Sequence, residues 1–578
     1  MARVRRIPND RVVRALRELG LFLEMKEVAF KPRAYEKAAD AVAAQERALA
    51  DLYAEGGLAA LLELPFVGKG IAQKIEELLR RGRIEELEQL REEIPIDALG
   101  LTAIEGLGPR HAKQLHDALG IANVDQLEAA LRAGRVREVP HFGAKSEQKL
   151  LKALEALRRT RGRQPLGLVL PLAREIEARL RGLPGVEHAA VAGSIRRGKE
   201  TIGDLDFLVV SEEAARVMEF FVAMPEVEQV YAKGGTKTLV RLATGLDADL
   251  RVVERASFGA ALHYFTGSKD HNVALRRIAQ EKGLKLNEYG LFRGQKRIAG
   301  RSEEDVYEAL GLAFVPPELR ENQGEIEAAR EGRLPKLVEH GALRGDLQIQ
   351  TDWTDGADSI EAMAQAAREH GLEYIAITDH TRDLKVARGL DEARLREQGA
   401  AIRALAKRLR GIRLLTGAEV NIRKDGTLDV ADEALAELDV VGASIHSFFD
   451  QSREEMTRRV IRAIENPHVD VLFHPTARSI GRREPVALDI DAVIAAAKRT
   501  GTLLEIDAMP ERLDLRDEHV RKAVEAGVKL VIDSDAHRRE QLGYADELGI
   551  AVARRGWATR ADVANAWPLE KFLRSKKR

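Results

Sequence analysis

Two aspartates one residue apart stand at the head of a run of apolar β-formers, Asp204-Leu205-Asp206-Phe207-Leu208-Val209-Val210. Alternate side chains of a strand share a face, so both carboxylates project together. Carboxylates held side by side repel one another unless a cation stands between them. Asp249 opens a second such run in Asp247-Ala248-Asp249-Leu250-Arg251-Val252-Val253 and completes a cage if the two strands are neighbours. This requirement constrains the segment to an α/β sheet whose strand heads meet. Three carboxylates can bridge two Mg2+ ions ~4 Å apart, one activating an attacking hydroxyl and the other neutralising a leaving pyrophosphate. Just upstream, Ala192-Gly193-Ser194-Ile195-Arg196-Arg197-Gly198 offers backbone and hydroxyl donors at Gly193 and Ser194 and a fixed positive charge at Arg197 for a triphosphate. Gly203, directly before the first aspartate, belongs with these nucleotide-binding positions. A lone D-x-D pair also fits a surface turn. The ordered series G-S, R-R, G-D-L-D and D-L-R points instead to phosphoryl transfer.

The chain has 578 residues, more than one hydrophobic core supports, so several domains are expected. Residues 1 to about 160 carry apolar residues at three-to-four spacing and read as short helices. From about 165 to 315 the pattern becomes α/β, with a helix around Leu172 to Leu180 and strands at Ala189 to Ala192, Asp206 to Val210, Thr238 to Leu242 and Leu250 to Val253. A charged, partly helical linker over 316–345 precedes a second α/β unit. There the strand-like runs Tyr374 to Ile377, Val440 to Ala443, Val469 to Phe473, Leu503 to Ile506 and Leu530 to Ile532 alternate with helices in the rhythm of a β/α barrel. The basic tail Arg574-Ser575-Lys576-Lys577-Arg578 reads as solvated. There is no membrane-length apolar run and no secretory signal, which predicts a cytoplasmic protein. The absence of cysteine excludes disulfides, thiolate catalysis and cysteine zinc fingers, leaving His and carboxylates as metal ligands. A net charge of −1 is compatible with opposed local patches.

Three helical segments share one design, a hydrophobic residue, a tight turn and the start of a helix. They are Leu64-Pro65-Phe66-Val67-Gly68-Lys69-Gly70, Ile104-Glu105-Gly106-Leu107-Gly108-Pro109-Arg110 and Val139-Pro140-His141-Phe142-Gly143-Ala144-Lys145. Glycines let backbone N–H groups approach a phosphate and the helix dipole favours it, so such turns hold a nucleic-acid backbone without reading bases. They resemble helix-hairpin-helix motifs, with Gly68, Gly70, Gly106, Gly108, Gly143 and Lys145 as the DNA-contacting positions. Phe66 sits where the first copy is expected to carry glycine, and the third copy has Gly143 alone.

The carboxylate segment resembles family X DNA polymerases, and the likeness continues downstream. Tyr264-Phe265-Thr266-Gly267-Ser268 is similar to the family's Y-F-T-G-S turn, which implies that Tyr264, Phe265 and Gly267 shape the sugar side of a nucleotide pocket. Asn272 and Arg276 match residues that touch the nascent pair and the template, Leu286-Asn287-Glu288-Tyr289 matches the N-E-Y of the terminal subdomain, and Arg251 matches an arginine salt-linked to the third carboxylate. Lys74, in Ile71-Ala72-Gln73-Lys74-Ile75, matches the Schiff-base lysine with which eukaryotic relatives remove 5′-deoxyribose phosphate. Gly70 replaces a basic neighbour of that lysine, which favours an exposed or phosphate-binding role.

The second unit resembles the polymerase-and-histidinol-phosphatase, or PHP, domain. Asp355, His380, Glu419, His446, His474, Asp535 and His537 fall at expected strand ends, which a barrel gathers at one mouth into a metal cluster. The family pattern opens with H-x-H, and here Gln348-Ile349-Gln350 stands in its place. An amide is a poorer ligand than imidazole for Mn2+ or Zn2+. The resemblance implies that those histidines join Glu419 and Asp535 around a first metal. Glu419, His446 and His474 would hold a second, and Asp355, His380 and His537 a third.

The whole chain thus reads as a multidomain α and α/β protein. An N-terminal helical DNA-end-binding domain (1–90) is followed by a helix-hairpin-helix fingers-like region (91–165), a nucleotidyltransferase palm (166–255) and a thumb-like nucleotide-selection subdomain (256–315). A linker (316–345), a PHP barrel (346–572) and a basic tail (573–578) complete it. The expected function is gap-filling DNA synthesis by a nucleoid-associated monomer, using gapped or primer-template DNA, dNTPs and Mg2+ or Mn2+. A partial Mn2+ or Zn2+ site would support a 3′-5′ exonuclease that is weak, Mn2+-dependent or lost. The alternatives are a barrel-centred 3′-end-processing phosphoesterase and a non-catalytic DNA-end scaffold.

Overall fold

The computed structural model describes residues 7, 9–43, 45, 47–104, 106–159 and 162–577. Residues 1–6, Pro8, Glu105 of the second hairpin and Arg578 of the tail lie outside the described residues. Helices Asn9–Met25, Lys31–Ala43, Leu49–Leu62, Lys69–Arg81 and Glu85–Glu93 lead into Ala98–Thr102, Pro109–Leu119, Val124–Arg132 and Ala144–Arg159. All share one apolar core around Leu16, Leu19, Phe22 and Ile75. Lys69–Arg81 shows why the pattern folds this way: Ile71, Ala72, Ile75, Leu78 and Leu79 fall on its buried face. Gly82 then ends the helix in the left-handed region.

The middle of the chain builds a five-stranded sheet in the order Val186–Val191, Asp204–Ser211, Asp247–Val253, Lys237–Leu242, Val227–Lys233. The pair formed by Asp204–Ser211 and Asp247–Val253 is parallel and every other pair is antiparallel. Val227–Lys233 was not legible because it is an edge strand, exposed along nearly its whole length, and lacks alternation. The helix expected from Leu172 runs over Leu166–Arg181, since Leu166 and Val169 are also buried. Beyond the sheet, helices Phe258–Thr266 and Lys269–Glu281 precede a three-stranded antiparallel sheet, Lys285–Asn287, Gly290–Arg293 and Lys296–Ala299.

The stretch 316–345, expected as a linker, is packed. Leu319, Ile326, Ala329 and Leu337 join the core of the preceding subdomain, and Arg320 is fully buried.

Seven parallel strands then follow in sequence order: Gly345–Ile349, Tyr374–Ile377, Arg413–Asn421, Val440–Ser444, Val471–Leu472, Leu503–Asp507 and Leu530–Asp533. A bridge between Ile349 and Ala536 brings the first strand beside the end of the last, and the Gln350 N–H donates to the Ala536 carbonyl at 2.9 Å. The result is a nearly closed barrel. Gly345–Ile349 and Arg413–Asn421 escaped the apolar pattern because Asp346, Gln348, Thr416, Glu419 and Asn421 interrupt it while being buried. The run expected over Val469 to Phe473 pairs only at Val471–Leu472.

The basic tail is a correction to its solvated reading. Lys576 Nζ stands 3.4 Å from Asp470 Oδ2 and donates to the Asp439 carbonyl, while Lys577 Nζ donates to the Ile464 carbonyl at 2.7 Å. Ile464 lies in the last turn of helix Arg453–Glu465, whose unpaired carbonyls attract cations. Among the described residues no helix is long and apolar enough to cross a membrane.

Candidate active sites

The parallel register sets Asp204 opposite Asp247 and Asp206 opposite Asp249. Asp204, Asp206 and Asp249 therefore meet at the heads of two adjacent strands. Gly193 lies against them with φ +64, and a Cβ there would collide with the Asp206 carboxylate. Burial, with the charges of Asp204 and Asp249 added, pushes the Asp206 carboxyl up to about 7. Two cations border the group without closing it: Lys237 Nζ is 3.2 Å from Asp249 Oδ2, and Arg251 Nε is 3.7 Å from Asp249 Oδ1. The Arg251 guanidinium also sits 4.5 Å from the centre of the Phe265 ring. Asp249 Oδ1 and Ser194 Oγ are buried without a hydrogen-bond partner among the described residues. An all-oxygen donor set with uncompensated negative charge and unpaired buried oxygens fits hard divalent cations.

Beside this cluster, the Tyr264 and Phe265 rings meet edge to face at 5.1 Å. Asn272 Nδ2 donates to the Tyr264 carbonyl at 2.7 Å and its Oδ1 has no hydrogen-bond partner among the described residues, while Arg276 Nε donates to the Asn272 carbonyl at 3.3 Å. Gly267 takes φ +72 against Arg197. Gly203 packs beneath Arg163, whose Nη1 would lie 2.9 Å from a Cβ at that position. Arg197, expected as a fixed positive charge, pairs through its Nε with Glu321 Oε1 at 3.0 Å, and its Nη1 donates to the Thr266 carbonyl.

Sequence reasoning missed the buried network behind the pocket. Glu303 receives Arg196 Nη2 at 2.6 Å and Arg320 Nη1 at 2.6 Å, tying the five-stranded sheet's domain to the following one. His271 stands between Glu325 Oε1, 2.6 Å away, and the Tyr307 hydroxyl, 2.8 Å away. These partners are distant in sequence and no local motif marks them.

In the three hairpins, Gly106, Phe66 and His141 all have left-handed backbones, at φ +85, +61 and +69. They occupy equivalent turn positions, so the missing glycines of the first and third copies changed the residue and not the turn. Helices Lys69–Arg81, Pro109–Leu119 and Ala144–Arg159 begin directly after Gly68, Gly108 and Gly143. Among the described residues no side chain caps the first two, and Gly68 and Gly108 at their starts are exposed. Gly70 and Lys145 are exposed beside them. Lys74 is half-buried and its Nζ pairs with Glu86 Oε2 at 2.7 Å. Burial and the Glu86 charge push the nearby Tyr35 phenol up to about 12.

At the barrel mouth, three histidines converge on the buried Glu419: His380 Nδ1 at 3.1 Å, His446 Nε2 at 3.0 Å and His474 Nε2 at 2.9 Å. Asp355 Oδ1 lies 3.6 Å from His380 Nε2 and 3.8 Å from His537 Nε2. Ligand atoms of Asp355, His380 and His537 approach within 4.8 Å of one another, as do those of His380, Glu419 and His446. Both groups fit a divalent ion. The remaining position does not. Gln350 Nε2 donates to Glu419 Oε2 at 3.0 Å, and the Gln348 amide, oriented by its surroundings, donates to Glu505 Oε1 at 2.6 Å. Arg512 Nε stands 3.4 Å from Asp507 and 3.7 Å from Asp535. Amide and guanidinium donors thus already face the carboxylates there. Glu505, Asp507 and Arg512 were not anticipated, although the alternation Glu505-Ile506-Asp507 at a strand end carries the same signal as Asp204-Leu205-Asp206.

Comparison with known proteins agrees with this geometry. Residues 7–84 match a helix-hairpin-helix domain, 98–156 a SAM-like helix-hairpin-helix tandem, 261–321 the DNA polymerase beta thumb and 346–499 the PHP domain. The chain is 39% identical over 572 residues to the DNA polymerase/3′-5′ exonuclease PolX of Bacillus subtilis (strain 168), covering 97% of this chain and 99% of that one. The chain is 32% identical over 233 residues to a probable phosphatase of Thermoanaerobacter sp. (strain X514), covering 38% of this chain and 89% of that protein. A probable phosphatase of Acetivibrio thermocellus is 32% identical over 198 residues, covering 33% of this chain and 77% of its own length. With near-complete coverage of one relative and matches to the hairpin, thumb and PHP domains, the chain belongs to the family X DNA polymerases that carry a C-terminal PHP domain.

Proposed function

We propose that the chain fills short gaps in DNA by templated nucleotidyl transfer at Asp204, Asp206 and Asp249, taking dNTPs as a monomer in the cytoplasm, at the nucleoid. The observation that carries this reading is the in-register meeting of Asp206 and Asp249 beside Asp204, which leaves the Asp206 carboxyl raised to about 7 when no cation is bound. Asp204, Asp206 and Asp249 would hold Mg2+ or Mn2+, which would supply activation of the primer 3′-hydroxyl and charge neutralisation of the departing pyrophosphate. The Gly193 backbone and the unpaired Ser194 hydroxyl receive the triphosphate, and Arg197 joins them from its resting place at Glu321. Tyr264 and Phe265, held by Asn272 and Arg251, form the sugar side of the pocket. Arg276 and the exposed helix starts at Gly68, Gly108 and Gly143, with Gly70, Gly106 and Lys145, hold the DNA. The division at residues 90, 165, 255, 315, 345 and 572 belongs to this reading. The test is extension across a one-nucleotide gap with Mg2+ or Mn2+: Asp204→Ala plus Asp206→Ala abolishes it, and undiminished extension by that variant overturns the mechanism.

A second activity is favoured by the convergence of His380, His446 and His474 on Glu419. Two of three ion positions retain suitable ligands, which supports a weak, Mn2+-dependent 3′-5′ exonuclease, with Zn2+ as the alternative ion.

A further inference from the structure

We propose that Arg555, on the barrel helix Ile550–Arg555, is a positioning residue for nucleotide binding at the polymerase site. By sharing Glu321 with Arg197, it lets the Arg197 guanidinium leave for an incoming triphosphate. The inference rests on the reading that Gly193, Ser194 and Arg197 receive that triphosphate.

One carboxylate oxygen faces three cations. Glu321 Oε1 lies 3.0 Å from Arg197 Nε, 3.1 Å from Arg555 Nη1 and 3.9 Å from Lys199 Nζ. Arg555 is fixed independently of this contact, because Asp517 Oδ2 receives its Nε at 2.8 Å and its Nη2 at 2.5 Å. Arg555 Nη1 also donates to the backbone carbonyl of Arg197 at 3.0 Å. The barrel helix backs the turn closely: a Cβ on Gly198 would lie 3.0 Å from Ala551 Cβ. Side chains here are largely withdrawn from water, with 13% of Arg197, 17% of Glu321 and 5% of Arg555 exposed.

Burial sets the energetics. A lone, desolvated Arg197–Glu321 pair would resist separation, because departure of the arginine strands an uncompensated buried carboxylate. Arg555 and Lys199 change that balance by keeping Glu321 neutralised after Arg197 moves. Burial alone would raise the Glu321 carboxyl, yet Arg555, Arg197 and Lys199 together hold it below the usual carboxylate range. Arg197 occupies the next position but two after Ser194 and reaches the Thr266 carbonyl beside Gly267, so a short swing returns it to the nucleotide pocket. The PHP half of the chain thereby acts on nucleotide affinity at the polymerase half without touching substrate.

The test is single-nucleotide incorporation into a gapped duplex by the full-length protein, separating KM for dNTP from kcat. Arg555→Ala raises that KM roughly tenfold with kcat within about threefold of wild type, and adding Glu321→Gln restores KM to within about threefold. Glu321→Gln alone leaves KM equal to or below wild type, and this variant decides the matter if Arg555→Ala does not fold. A merely structural role predicts additive losses in both constants and no rescue. An unchanged KM in folded Arg555→Ala, a double variant worse than the single one, or a severalfold KM rise in Glu321→Gln overturns the inference. Arg197→Ala separates it from the reading beneath it. No KM change there sinks the assignment of Arg197 itself, whereas a rise with Arg197→Ala but none with Arg555→Ala sinks only the role of Arg555.

Discussion

Asp206 and Asp249 face each other across a parallel strand pair, and the cations beside Asp249 leave the half-buried Asp206 without an ion-pair partner among the described residues. The arrangement favours a bound cation over the empty fold. Asp206→Asn is expected to raise the melting temperature of the metal-free protein while slowing nucleotide addition by at least ~10³-fold, a trade of function for stability. Calorimetry in chelator and a primer-extension assay check both halves. A lower metal-free melting temperature would contradict the repulsion argument.

Glu303 is expected to contribute to acid sensitivity. Despite burial, Arg320 and Arg196 hold its carboxyl down to about 2 from an ordinary 4.5. A depressed acid contributes stability that is fully present above the unfolded value and is lost as pH falls through the folded one. The contribution, on the order of 3 kcal/mol, therefore disappears between about pH 4.5 and 2. Glu303→Gln should melt lower at pH 7 and lose less of its remaining stability over that window than wild type. Denaturation curves at pH 7, 4 and 2.5 measure this.

The barrel's altered position is open to gain of function. Gln348→His plus Gln350→His replaces the two amides that donate to Glu505 and Glu419 with imidazole ligands. Metal content is expected to rise by about one Mn2+ per chain, with faster 3′-5′ turnover. Elemental analysis and a 3′-end digestion assay report the outcome, and no change in either would sink the explanation.

Lys74 should not act as a Schiff-base nucleophile, because its ammonium is committed to Glu86 and Gly70 takes the place of a basic neighbour that would help to lower its pKa. Borohydride trapping on an incised abasic duplex is expected to give the same adduct yield for wild type and Lys74→Ala. Loss of an adduct in the variant would restore the lyase reading.

The carboxylates Asp204, Asp206 and Asp249 were legible as a cluster because their signal is local: alternation on one strand, a second strand headed by aspartate, and a glycine turn before them. The barrel ligands were legible for the same reason, each sitting at the end of a short apolar run. What the sequence hid depends on distance along the chain. Glu303 meets Arg196 across 107 positions, and nothing near either residue announces the other. Polar strand interiors were hidden too, since Gly345–Ile349 and Arg413–Asn421 bury carboxylates and amides that break the apolar pattern. The hairpins show the converse error. Phe66 and His141 looked like departures from a glycine rule, yet their backbones adopt the left-handed turn regardless.

The contact between Arg555 and the Arg197 carbonyl spans 358 positions, and such non-local contacts form late. During synthesis, the sheet bearing Asp204, Asp206 and Asp249 leaves the ribosome long before the helix that buttresses its nucleotide turn. A nascent chain therefore carries these three carboxylates for roughly half of its elongation without the barrel behind them. Under the role proposed for Arg555, full nucleotide affinity is expected only once the barrel has closed, so that unfinished chains would compete poorly for dNTPs.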